Sequence, residues 1–89
     1  MTNSEAEKII AQLEAVLLEL HSYQVARATS VARLKRPELT SEDLLNPDDY
    51  LEIISDPHYM HEDGQAAGIL SAKIAVRTEL IKVLEKLIA

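Results

Sequence analysis

The chain has no cysteine, no tryptophan and no phenylalanine, and it carries only two glycines, three prolines and three tyrosines. The lack of cysteine excludes disulfide staples, thiolate metal sites and cysteine nucleophiles, and it suits a reducing compartment. With so few aromatics, the core must be built from Leu, Ile, Val and Ala, a set suited to helices packed on helices. No run is long and apolar enough to span a bilayer. The first residues, MTNSEAEK, have neither the basic nor the apolar region of a signal peptide, so the cytoplasm is the expected location. No stretch alternates as a strand does, and there is no glycine-rich phosphate loop and no HExxH. A di-iron bundle needs Glu three residues before His. Ahead of His21, His58 and His61 that position holds Leu18, Ser55 and His58.

A further absence is local. From Pro37 to Ala72 there is no Lys or Arg, while Glu38, Glu42, Asp43, Asp48, Asp49, Glu52, Asp56, Glu62 and Asp63 are all acidic. The net charge of −6 is therefore concentrated in the middle, between flanks that are net basic. Such a segment repels a phosphate backbone, because nucleic-acid affinity rests on cationic contacts. Arg27, Arg33, Lys35 and Arg36 cluster where a helix dipole accounts for them, and no aromatics interleave them for stacking on single strands. The acidic surface suits a basic protein partner or a cation, with Asp48, Asp49 and Glu52 as the expected partner-binding residues. Helix capping explains many of the acids but not the missing bases.

The 89 residues allow one domain, residues 1–89, of three parts. A long helix is expected over about 4–35. It opens on the capping box Ser4-Glu5-Ala6-Glu7 and is closed by Arg33, Lys35, Arg36 and Pro37. Its apolar stripe is Ile10, Leu13, Leu17 and Leu20, widened by Ile9 and Val16. That register continues through Gln24 and Arg27 to Val31 and Leu34. Polar residues on a seam can fix register or line a ligand site with His21 and Tyr23. Alternatively the stripe rotates there to Val25, Ala28 and Ala32. Two short helical segments are expected over about 41–55, started by Thr40-Ser41-Glu42-Asp43 and by Asn46-Pro47-Asp48-Asp49.

Asp56-Pro57 then opens a second long helix over about 57–88, since Asp caps and Pro is tolerated at the first helical position. It carries two apolar stripes. One is Met60, Ala67, Leu70, Ile74, Ile81, Leu84 and Ile88; the other is Ile69, Ala72, Val76, Leu80, Val83 and Leu87. One helix can cover one stripe, so a second copy is expected on the other. The fold class read from the sequence is thus all-α. An antiparallel pair of long helices, joined by a short helical connector, pairs as a dimeric four-helix bundle. Dimer or helix packing is expected through Gly68, Ala72, Val76, Leu80, Val83 and Leu87, with Gly68 allowing close approach and Gly64 marking a kink or a break in the helix. Arg77 should find Glu14 or Glu19 on the facing helix.

The functional expectation is a non-enzymatic, homodimeric interaction or regulatory module with an acidic central surface. A second expectation is a divalent-metal site. His58 and His61 are three apart and Glu62 is one turn after His58, so imidazole and carboxylate ligands share a helix face, with His21 or Glu52 to complete the set. A third is small-molecule binding between the helices near Gln24, Arg27 and Tyr59.

Overall fold

The computed structural model describes residues 1–88. Helix α1 spans Asn3–Arg33, α2 spans Leu51–Ile54 and α3 spans Pro57–Ile88, with single 3-10 turns at Asp43–Leu45 and Pro47–Asp49 between α1 and α2. No strand occurs among the described residues. Glu14 meets Arg77 and Gln24 meets Glu62, so the two long helices lie antiparallel, as a hairpin.

The helix starts follow local chemistry. Thr2, not Ser4, caps α1. Its hydroxyl accepts from the Glu5 N–H at 3.1 Å and donates to the Glu5 carboxylate at 3.1 Å, so the box lies two residues earlier than expected. Thr40 and Asp43 cap the first 3-10 turn reciprocally, through Thr40 N–H to Asp43 at 2.9 Å and Asp43 N–H to Thr40 at 3.3 Å. Asp56 accepts from the His58 N–H at 3.0 Å, starting α3 where Asp-Pro predicts it. α3 continues unbroken through Gly64 and Gly68, both with ordinary helical backbone. A Cβ added at either glycine would meet nothing within 4 Å. The close approach expected at Gly68 is therefore not made within the chain, because Gly68 lies outside the ridge that α1 contacts.

The core sits at the connector end. Ala28, Val31, Ala32, Leu39, Ile53 and Tyr59 form one buried cluster, with Leu44 and Tyr50 packed against it. Ile53 is fully buried. It projects from the short α2 and locks the connector across the end of the hairpin. Arg36 lies 5.0 Å over the Tyr50 ring, a cation–π contact that holds the chain just past α1 against the second 3-10 turn. Beyond this cluster the hairpin thins. Toward the α1 N-terminus and the α3 C-terminus the only buried residues among those described are Ala6 and Leu84.

The registers of both helices differ from the simplest sequence stripes. On α1, Ala6, Gln24, Ala28 and Val31 are buried and Ile10, Leu17 and His21 half-buried, while Leu13, Leu20, Arg27 and Leu34 are exposed. The stripe thus rotates at His21, and Gln24 stays on the seam while Arg27 leaves it. On α3, the contact ridge is Tyr59, Glu62, Ala66, Ile69, Leu80 and Leu84. It falls between the two expected stripes and takes a little of each. α1 therefore covers neither stripe fully, and both margins of the apolar arc remain open.

The molecule measures 54 × 18 × 17 Å with a radius of gyration of 17.2 Å, against about 12 Å for a compact domain of this length. Its accessible surface is 6212 Å², whereas a folded monomer of 9.9 kDa exposes about 5,200 Å². The surplus is roughly 1,000 Å².

Candidate functional site

Three features could act on something outside the chain: a polar knot in the hairpin seam, the acidic connector and the uncovered apolar flank.

The knot is centred on Glu62. This carboxylate points into the seam and is buried, because helical spacing places position 62 on the same ridge as Tyr59 and Ala66. Gln24 donates to the Glu62 carboxylate and, at 3.0 Å, to the Glu62 backbone carbonyl. Arg27 approaches the carboxylate from the rim at 3.4 Å. The Gln24 hydrogen bond, with the Arg27 charge behind it, holds the Glu62 carboxyl below its ordinary pKa, against the opposing effect of desolvation. His58 lies one turn earlier on the same side, its Nε2 3.9 Å from Glu62.

His61 turns elsewhere and pairs with Gln65 at 3.0 Å. His58, His61 and Glu62 therefore do not converge: Glu62 is committed to Gln24 and Arg27, and His61 leaves that side of the helix. Glu52 pairs with Arg36, and His21 lies on the opposite flank of the hairpin. Among the described residues, no group of three or more His, Cys, Asp or Glu side chains is placed to hold a metal ion. The physical reason is that residues three and four apart share only a broad helix face, and the α1 seam captured one of the three.

The acidic connector is less bare than its composition implies. Bases from the end of α1 reach into it: Lys35 to Asp56 at 3.7 Å, and Arg36 to Glu38 at 2.9 Å and to Glu52 at 3.2 Å. The Glu38 carboxyl is held below its ordinary pKa, first by a backbone hydrogen bond and then by Arg36. Asp48 and Asp49 stand exposed on the second 3-10 turn, and neither enters an ion pair among the described residues. Of the three expected partner-binding acids, Asp48 and Asp49 are available and Glu52 is engaged.

The apolar flank follows from the rotated registers. Tyr23, Arg27 and Val31 of α1 share one side of the hairpin with His58 and Glu62 of α3, lining a shallow cavity. Followed along the helices at 3,4 spacing, that side carries Leu20, Val16 and Leu13 on α1. On α3 it carries Ala72, Val76, Val83 and Leu87. All of these are exposed, and Leu80 between them is half-buried. The opposite side carries Leu70 and Ile74 on α3, with Arg77 meeting Glu14 there as expected. Gln24, Arg27 and Tyr59 do not line a common site. Gln24 and Arg27 serve Glu62, while Tyr59 borders a cavity on the other side with His21 and Asp63. From the sequence Asp63 stood only among the acids of the central segment; its position one turn after Tyr59 is the signal that places both on the cavity side.

The fold defines this as an all-α helical-hairpin protein. Compared with models of known protein families, with curated proteins and with solved structures, the chain matches none. No helix among the described residues is long and apolar enough to cross a membrane.

Proposed function

We propose that this protein is a non-enzymatic interaction module that works as a homodimer, pairing its open apolar flank with that of a second copy to make a four-helix bundle. The observation that carries the reading is the exposed row of Leu13, Val16, Leu20, Val76, Val83 and Leu87 along the part of the hairpin with the least core. The surplus accessible surface supports it. Roughly 1,000 Å² per chain is close to the ~800 Å² that each partner contributes to a stable protein–protein interface. Two-fold pairing sets the same row against itself, as an isologous contact requires.

The acidic connector end would then point away from the paired halves, and Asp48 and Asp49 would face a basic protein partner. Charge of this kind governs encounter and selectivity more than raw affinity. The direct test of self-pairing is sedimentation equilibrium of the purified full chain. A mass twice the 9.9 kDa of the chain, falling on dilution, is the expected result, and a single-chain mass at every concentration would overturn the dimer. For the acidic surface, reversing Asp48 and Asp49 to Lys should slow association with any isolated basic partner several-fold and weaken its salt dependence. Unchanged association kinetics would remove the connector from the interface.

A further inference from the structure

On the side of the hairpin opposite the proposed dimer flank, α1, the first 3-10 turn and α3 border a half-open cavity of about 310 Å³. Its walls include Val25, Leu44 and Leu70. The volume lies at the small end of ligand sites, and a mainly apolar wall with a few convergent polar groups is their usual make-up.

Five polar side chains line this space; Thr29 and Ser41 pair with each other at 3.0 Å, which leaves His21, Tyr59 and Asp63. None makes a side-chain hydrogen bond or ion pair among the described residues, although His21 and Asp63 are half-buried and Tyr59 is 2 % exposed. No polar side-chain atom is both fully enclosed and without a partner among the described residues. The Tyr59 hydroxyl is therefore not sealed off, and Tyr59 borders this cavity. Tyr59 and Asp63 lie one helical turn apart on α3 and both border the cavity; burial, and then the charge of Asp63, hold the Tyr59 hydroxyl above its ordinary pKa. A buried tyrosine ordinarily finds a partner for its O–H, and half-buried groups without one are poised for a bound molecule to supply it.

The sign of the charge narrows the ligand. Asp63 is the carboxylate in the wall, and no Lys or Arg lines the cavity. An anion would meet uncompensated like charge there, whereas an ammonium would gain a charge-assisted hydrogen bond. We infer that this cavity binds a small organic amine. The ammonium donates to the Asp63 carboxylate, Tyr59 and His21 complete the polar end, and the apolar body lies among Val25, Leu44 and Leu70.

The inference is independent of the dimer, whose flank lies on the other side. The test is an amide-shift NMR titration of the full chain with phenethylamine, and with 3-phenylpropionate as the matched anion. Saturable shifts at Leu44, Ala66 and Ala67 are expected with phenethylamine, with clearly weaker binding of 3-phenylpropionate. Asp63→Asn should weaken phenethylamine binding roughly tenfold. Ala67→Leu, at the exposed cavity rim, should abolish it by filling the space while the helical circular-dichroism signal is kept. Equal binding of the amine and the anion, no saturable shifts, or an unchanged affinity in Asp63→Asn would each overturn the inference.

Discussion

Val83 offers the sharpest test of the dimer. It is 45 % exposed in the single chain, and a second copy seated on the flank would cover the remainder. Val83→Ala removes two methyl groups, and a fully buried methylene-sized group contributes about 0.8 kcal/mol. With nearly half of that burial still to be gained on pairing, the loss is about 0.7 kcal/mol per copy. Two-fold symmetry brings the substitution into the interface twice, so the dimer weakens by about 1.4 kcal/mol, or tenfold in Kd. Val83→Glu should go further and dissociate the dimer, because it replaces an apolar contact with two like charges that pairing would have to desolvate. The matched control is Ile74→Glu, at a position 62 % exposed on the opposite side. Sedimentation equilibrium over a hundredfold range of concentration measures all four proteins. The expected order is wild type and Ile74→Glu as dimers, Val83→Ala with a raised Kd, and Val83→Glu as a monomer. If Ile74→Glu dissociated while Val83→Glu did not, the pairing surface would be the other margin of the arc. If neither variant changed the mass, the exposed apolar row would have no part in self-association.

Two predictions concern the fold itself. Ile53→Ala should destabilise the chain by about 2–5 kcal/mol, the range for truncating a buried aliphatic residue, and thermal melting followed by circular dichroism should fall by at least about 10 °C; a change of a degree or two would mean that the connector is not locked by this side chain. Glu62 has a pKa below its ordinary value in the folded chain, so its contribution is fully present above the ordinary glutamate range and is lost as pH falls through the folded value. Stability profiles of wild type and Glu62→Gln should therefore separate at neutral pH and converge in acid. Parallel profiles from neutral pH down to pH 3 would show that the Gln24–Glu62–Arg27 knot does not couple folding to protonation.

Much of the architecture follows from local chemistry and could be read without coordinates. Asp56-Pro57 starts α3 because a cap and a preset backbone angle act within one turn. The Thr40–Asp43 box works in the same way, and the aliphatic composition leaves packed helices as the available core. The pairing of Arg77 with an acid of the facing helix was also legible, to within Glu14 or Glu19, because an antiparallel hairpin with a short connector limits the register; the structure selects Glu14. Each of these depends on residues near in sequence or on the length of the elements, and each is visible in a string of letters.

What the string could not decide is which of several adjacent ridges the helices bring together. α3 is apolar across a wide arc, and any of three ridges satisfies its pattern equally well. The connector core of Ala28, Ala32, Ile53 and Tyr59 made the choice by setting the rotation of α1 about its axis. That rotation buried Glu62 against Gln24, withdrawing it from His58 and His61, and turned Leu13 and Leu20 outward. The same rotation brought His21 of α1 to the cavity that Tyr59 and Asp63, neighbours on α3, also line. The sequence by itself determined the helices, their ends to within about two residues, and, through the short connector, their antiparallel pairing, because those depend on interactions within a turn or two of chain and on the lengths of the elements. The tertiary structure alone decided which side chains face each other, because that depends on the rotation of each helix, which is fixed by contacts between residues tens of positions apart.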